Sequence, residues 1–416
     1  MPNKIAGRGV GWRRAIIHMY ACRHITVAFI PQDKIGRLSC RCADSVTDMK
    51  VHFGAGGWVQ WPDYEDFSIE FMKLLGMAQE GGSLISECFL AAGRIDPSDG
   101  GESWYREWTR MAEANNARAN ASLEQGHVLT AQSNWLRAIN YYQASAFAFD
   151  IADERQQAAI EAMRTCARRY ISHLTPAGEI VAIPWLEGHT FEGYFLPAAA
   201  TGRSPAVICM GDPGHRKEEY LFKVARYARE RGMSLLAVDL FGSDASAKFE
   251  DVVGRPDLET SISHVMDYLA TRDDIDEHRI GILGDGAGSS FVARGVALDN
   301  RFAAAVCDGG IWDMQERAFL MDRFPSGNSG NAGPGGVRFG RKFRCPILIT
   351  LGAEGWLESD HATSLFERLK VDQSDISLKI FEGSETAAAQ GHSDNPTLAN
   401  EFIFDWMADR LKVATN

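Results

Sequence analysis

A chain of 416 residues, 45% hydrophobic and 24% charged, is long enough to bury a large core and points to two domains, which excludes a largely disordered polymer. Its formal net charge of -12 argues against nucleic acid and against an anionic membrane surface as the main partner, because both reward clustered Lys and Arg. The partner expected is a small, neutral or weakly charged molecule, with a homodimer allowed by the sequence. No apolar run reaches the ~18 residues that a membrane span needs, and the stretch 15–30 is broken by His18, Arg23 and His24. Neither a span nor a secretory leader is therefore expected.

In chain order, residues 1–48 carry eight basic side chains against three acidic ones, the reverse of the acidic whole and without a clear period. They read as a poorly ordered extension, or as the product of an upstream start with Met49 as the true one. A helical region, 49–175, follows. Phe67, Ile69, Phe71, Met72, Leu74 and Leu75 crowd one side of a first helix; Gly81-Gly82 breaks it, and Leu84, Ile85, Phe89 and Leu90 resume. Ser103 looks like the N-cap of a stronger helix with Glu107 as acidic support, running toward Leu123. After Gly126, the residues Ala131, Trp135, Ala138, Tyr141, Tyr142, Ala146 and Phe147 follow steps of three and four. The result is an antiparallel helical pair, read here as a cap over the next domain.

From residue 176 to 416 the rhythm changes. Runs at 179–185 and 190–196 around Glu187-Gly188 predict a hairpin. Continuous apolar runs follow at 205–210, 234–239, 279–284, 303–307, 346–351 and 377–381, separated by helical stretches. This alternation predicts an α/β fold built on a mostly parallel, doubly wound sheet, whose ligands gather beyond the carboxyl ends of the strands. The loops that matter then start at Gly211, Leu240, Asp285, Asp308, Gly352 and Glu382. Eight cysteines are scattered without metal-type spacing, several of them inside apolar strands, and read as reduced core residues of a cytoplasmic protein.

The run Arg279-Ile-Gly-Ile-Leu-Gly-Asp-Gly-Ala-Gly288 reads as a buried strand entering a sharp turn of the type G-x-S-x-G, in which a serine stands at the apex. Here the apex is Gly286. The spacing Gly284-x-Gly286-x-Gly288 is wrong for a dinucleotide loop, and the segment Pro325-Ser-Gly-Asn-Ser-Gly-Asn-Ala-Gly-Pro-Gly-Gly336 lacks the lysine of a phosphate cradle, so it reads as a flexible loop or lid. No cofactor and no metal is expected.

Several further motifs accompany that turn: Leu74-Leu-Gly76, Glu102-Ser-Trp-Tyr-Arg-Glu-Trp108, Gly211-Asp-Pro-Gly-His-Arg-Lys-Glu-Glu219, Asp308-Gly-Gly-Ile-Trp312 and Asp394-Asn-Pro396. With these, the chain from about residue 63 to 411 resembles the α/β-hydrolase family that includes the fermentation-respiration switch protein, 2,6-dihydroxypseudooxynicotine hydrolase and the fungal yellowish-green-type hydrolases that shorten polyketides. The resemblance implies an α/β-hydrolase fold with a helical N-terminal cap domain. It also implies hydrolysis of esters, or of carbon–carbon bonds beside carbonyl groups in aromatic or polyketide substrates. Carried over, the serine falls on Gly286, the acid on Gly355 within Gly352-Ala-Glu-Gly-Trp-Leu357, and the histidine near Gln390. A serine triad needs all three roles, so the ordinary acyl-serine route is not expected.

Other residues must then carry the chemistry. Asp285 is a candidate base or, as in dehalogenases on this fold, a nucleophile. His392 and Glu354 are candidates for a displaced acid/base pair. His215, in the loop that in this fold supplies an oxyanion-hole N–H, could polarise a carbonyl, with Asp212 orienting it or capping the helix near Glu218. Gly286, Phe241, Asp308, Trp312 and Trp356 are candidate substrate contacts, set against turn-capping and packing roles. Three functions remain open: an enzyme of lyase, cyclase, isomerase or C–C hydrolase type in secondary metabolism; a hydrolase with an Asp285 nucleophile; and a catalytically silent binding or regulatory protein.

Overall fold

The computed structural model describes residues 52–54, 57–150, 152–186, 189–200, 202–211, 216–239, 260–286, 288–311, 343–355, 357–372 and 375–413. The extension at 1–48 and the glycine-rich segment 325–336 lie outside the described residues. A short antiparallel pair, β1 (His52–Gly54) and β2 (Gly57–Val59), precedes the helices.

Burial decides which predicted helices form and where. α1 (Glu65–Gly76) buries Phe71, Met72 and Leu74. α2 (Ile85–Ala92) instead buries Cys88, Ala91 and Ala92, leaving Ile85 57% and Leu90 48% exposed. Its small side chains meet the neighbours together with Phe89, which packs edge-on against Phe71 at 5.6 Å between ring centroids, a division the apolar count alone did not show. α3 (Glu102–Glu124) starts one residue before the expected cap, with Gly101 at the N-cap position. Ser103 is used differently: its hydroxyl accepts from Asp96 N–H at 2.8 Å and donates to Asp96 O at 3.0 Å, stapling the preceding turn. Glu107 is likewise no exposed first-turn acid, being buried and paired with Arg110 at 2.9 Å. α4 (Val128–Ala146) packs back on α3, as the spacing predicts. A further helix, α5 (Glu154–Ser172), completes the layer; Asp153 caps it and Ala159, Ile160, Met163, Ala167 and Ile171 form its buried stripe.

The centre of this layer is aromatic. Trp104 is fully buried, donates its indole N–H to Ala144 O at 2.7 Å, and packs against Phe67 at 4.8 Å and Trp108 at 5.6 Å between ring centroids.

The sheet follows. The hairpin β3 (Glu179–Leu186) and β4 (His189–Leu196) is antiparallel, and β4 pairs antiparallel with β6 (Ser234–Val238). β5 (Ser204–Met210), β7 (Ile275–Asp285), β8 (Ala304–Asp308), β9 (Ile347–Gly352) and β10 (Ile376–Phe381) complete eight strands in the order β10-β9-β8-β7-β5-β6-β4-β3, all parallel from β6 to β10. β5, β6, β8 and β9 are buried at every residue, which a parallel sheet covered on both faces requires. Between the strands run α6 (Glu219–Lys223), α7 (Ala225–Glu230), α8 (Thr260–Ala270), α9 (Gly288–Leu298) and α10 (Ser359–Asp372), with α11 (Pro396–Arg410) last. One apolar cluster runs from Trp104 and Trp135 in the helical layer to Val207, Leu283 and Leu348 in the sheet. Among the described residues no helix is long and apolar enough to cross a membrane.

Replacing Trp104 by alanine removes the hub of this layer and is expected to cost about 3–5 kcal/mol in urea unfolding. The exposed Ile85→Ala should stay within about 0.5 kcal/mol; equal costs would contradict the assignment of the core.

Candidate active site

Strand register brings the site together. Asp285 ends β7 and Asp308 ends β8, and the two are paired positions of adjacent parallel strands, with Thr350 of β9 next in line. Side chains at paired positions share a face of the sheet, so two carboxylates stand side by side at the carboxyl-end rim, where sheets of this kind gather their ligands. Both are nearly buried, Asp285 2% and Asp308 4% exposed. Like charges so placed need counter-charges, and two arrive from elsewhere. Lys223, at the end of α6, places its ammonium on Asp285 Oδ2. His392 places Nε2 at 2.8 Å from Asp308 Oδ1, and Thr350 Oγ1 donates to the same oxygen at 2.8 Å.

The protonation of His392 follows from its partners. Its Nδ1 lies 2.6 Å from the Ala387 carbonyl oxygen, which can only accept. With an acceptor on each ring nitrogen, the imidazole is best satisfied as imidazolium, both nitrogens donating. Burial opposes that charge, but Asp308 and the Ala387 carbonyl outweigh it and raise the pKa above the usual value, against a smaller opposing effect of Lys223. Lys223 behaves alike: burial works against its ammonium, while Asp285 first and then Asp308 hold the proton on. The neighbouring thiol of Cys209 is pushed up by burial and by Asp285, and burial pushes Cys88, Cys166 and Cys345 up to about 12. These cysteines are free, buried thiols, not thiolate nucleophiles.

The turn beyond Asp285 keeps the shape of a nucleophile elbow. Gly286 has φ 61°, a left-handed conformation, and its N–H donates to Asp308 O at 2.7 Å. A Cβ at Gly284 would come within 2.7 Å of Ser289 Cα, and one at Gly288 within 2.7 Å of Gly211 O, so strand, helix and the loop after β5 meet at backbone distance. Gly355 and Gln390, where the resemblance puts acid and base, are also neighbours: a Cβ on Gly355 would lie 3.0 Å from Gln390 Oε1.

A second charged group sits beside the loop after β5. Lys217, fully buried, has its ammonium 2.8 Å from Asp239, 2.9 Å from Glu192 and 3.3 Å from Glu218, and its backbone N–H donates to Asp239 Oδ1 at 2.6 Å. Tyr194 donates its hydroxyl to Glu218 at 2.8 Å. Burial opposes the charge on Lys217, and the three carboxylates more than offset it, raising its pKa.

Of the residues proposed from sequence, Asp285, Gly286, Asp308 and His392 are thus brought together. Glu354 lies on the β9 loop with an exposed side chain, and the carboxylate that His392 contacts is Asp308 instead. His215, Asp212, Phe241, Trp312 and Trp356 lie outside the described residues. Lys223 and Lys217 were missed. Their signal was faint: two lysines inside the apolar, rim-proximal segment that follows a buried strand.

An eight-stranded sheet of this order, with an elbow after its central strand and helices on both faces, defines the α/β-hydrolase fold. The chain belongs to the FrsA-like esterase family, whose model matches residues 98–316. Among curated relatives it is similar to the α/β hydrolase gkaG of Penicillium citrinum, 30% identical over 262 residues covering 61% of each chain. It is also similar to the 20-hydroxy-prefusarin hydrolase FUS2 of Gibberella moniliformis, 31% identical over 271 residues covering 62% of this chain and 64% of that protein. The chain spans about three-fifths of the length of the curated relatives it matches. Two solved structures share the fold: 2,6-dihydroxy-pseudo-oxynicotine hydrolase, with TM-score 0.66, 20% identity and coverage of 81% of this chain and 95% of that one, and AbyA5, with TM-score 0.56, 15% identity and coverage of 84% and 99%.

The raised pKa of His392 fixes a sign. Its ion pair contributes fully below the unfolded imidazole value of about 6.5 and is lost as pH rises through the higher folded value. His392→Gln, which strands a buried Asp308, should cost on the order of 3–5 kcal/mol near pH 6. That cost should shrink toward pH 9 in denaturant titrations at both pH values; a cost that grows with pH would contradict the charged imidazole.

Proposed function

We propose that this chain is an enzyme acting by acid/base chemistry, without an acyl-serine intermediate, on a carbonyl-containing aromatic or polyketide-like small molecule. The observation that carries this reading is the buried Asp285–Lys223 pair placed immediately before an elbow whose apex is Gly286. An elbow with no side chain at its tip carries no nucleophile of its own, and a substrate carbonyl would take the place where one would stand. Asp285 would exchange a proton with the carbon beside that carbonyl, while Lys223 and His392 would stabilise negative charge developing on oxygen. Asp308 would hold His392, and His215 with Asp212 would polarise the carbonyl from the loop after β5. Phe241, Trp312 and Trp356 would supply aromatic contacts, with Glu354 at the outer edge. The reaction class is C–C bond hydrolysis, lyase, cyclase or isomerase chemistry, in the cytoplasm and with no cofactor. The name of the FUS2 relative, a hydrolase of 20-hydroxy-prefusarin, supports a secondary-metabolite substrate.

A second reading, a catalytically silent binding protein, draws on the same geometry: both nitrogens of His392 and one oxygen of Asp285 are already engaged. An Asp285 nucleophile is less favoured, since that carboxylate lies before the apex and is bound to Lys223.

The purified protein should not be labelled by a fluorophosphonate probe and should not turn over p-nitrophenyl esters. Against a panel of aromatic 1,3-dicarbonyl compounds it should consume the enol absorbance, and Asp285→Asn should slow this by about 10²–10⁴ while remaining folded. Labelling of a serine, or equal rates with Asp285→Asn, would overturn the proposal; saturable binding of the same compounds without turnover would favour the silent reading.

A further inference from the structure

The two cations of the site sit on segments that are far apart in sequence and are fastened to one point of the helical layer. Glu80, in the turn between α1 and α2, is 5% exposed. Its Oε1 accepts from the Tyr227 hydroxyl at 2.7 Å and from the Thr397 hydroxyl at 2.6 Å, and its Oε2 lies 3.2 Å from the Arg226 guanidinium. Tyr227 and Arg226 belong to α7, which directly continues the helix carrying Lys223. Thr397 belongs to α11, which starts four residues after His392.

The surrounding contacts repeat this pattern. A Cβ on Gly76 would meet Ser393 O at 2.5 Å, beside His392, and one on Gly82 would meet the Phe222 ring at 3.1 Å, beside Lys223. Arg226 Nη1 also donates to Gln79 O at 3.2 Å. α11 reaches across on its own account, since the buried Asn400 donates to Lys223 O at 3.0 Å. Tyr227 stacks on Phe404 with centroids 5.9 Å apart. The segment 76–82 therefore touches both cation-bearing elements within a residue or two of the charges themselves.

We infer that Glu80 is a positioning residue, contributed by the helical layer, that sets the spacing between Lys223 and His392. Its carboxylate does not touch the site. It accepts one hydroxyl from each of the two helices behind the site, so the distance between those helices is fixed by two bonds to a single oxygen. Small displacements there are passed on through α6 to Lys223 and through residues 393–396 to His392. On this view the helical layer does more than cover the sheet: it assembles the charge cluster.

The test reads the site itself and needs no substrate. In protein labelled with ¹⁵N-histidine, the two ring N–H protons of His392, hydrogen-bonded to Asp308 and the Ala387 carbonyl and buried from water, should give slowly exchanging downfield signals near pH 7. Glu80→Ala should abolish these signals in a protein that still melts cooperatively. Glu80→Gln keeps an oxygen acceptor for both hydroxyls and should preserve them. Glu87→Ala cuts the Arg118 ion pair elsewhere in the helical layer and serves as the control for general destabilisation; the signals should survive it. Should Glu80→Ala fail to fold, Thr397→Val, which removes only the α11 bond, takes its place and should broaden the signals. Unchanged signals in whichever of these two variants decides the test would overturn the inference, as would their loss in Glu87→Ala.

Discussion

Two carboxylates at paired positions of neighbouring strands form the constraint around which this protein is arranged. Register places Asp285 beside Asp308, and the covered parallel sheet withholds the water that would screen them. Neither charge is tolerable there alone. Lys223 answers one and His392 the other, so two segments far apart in sequence are drawn to the same few ångströms. Lys223, Asp285, Asp308 and His392 then form a balanced group, two positive and two negative, beside an elbow that carries only Gly286.

The hydrogen bonds of His392 differ from those of the triad histidine in an ordinary serine hydrolase. In such enzymes the histidine keeps one nitrogen for the carboxylate and turns the other toward the nucleophile. Here the second nitrogen is taken by the Ala387 carbonyl, and the carboxylate comes from the end of β8, not from the loop after β9. The elbow backbone is nevertheless held to the same close approach, by Gly284 against Ser289 and Gly288 against Gly211. The elbow backbone is kept, and under the proposed function the proton-bearing groups around it take over the chemistry. The FrsA-like family membership locates this arrangement within a known fold, and the proposed acid/base chemistry follows from what the rim groups can still do.

How much of this could be read beforehand depended on how local each feature is. The parallel strands were legible because burial on both faces writes a continuous apolar run, and each expected run lies within a residue or two of an observed strand apart from the longer β7. The elbow was legible because three glycines at alternate positions after such a run have few other uses. The helical pair was legible from its spacing, whereas α5 was overlooked although Asp153 and its step-of-three-and-four stripe announce it. The candidate site was legible only in part. Asp285, Asp308 and His392 could be singled out by position, but the pairing of His392 with Asp308 spans 84 residues and depends on register. Lys223 was invisible for the opposite reason: it ends a five-residue helix and looks solvated until the fold turns it inward.

The central claim is that the cluster is a set of compensated charges, and the Lys223 amine reports on it most directly. Following its Cε and Nζ resonances with pH should show an ammonium that persists past about 10.4, the ordinary lysine value, and that loses its proton earlier once Asp285 is replaced by asparagine. A Lys223 that is already a neutral amine near pH 8, or whose titration ignores Asp285, would mean that no such charge cluster exists.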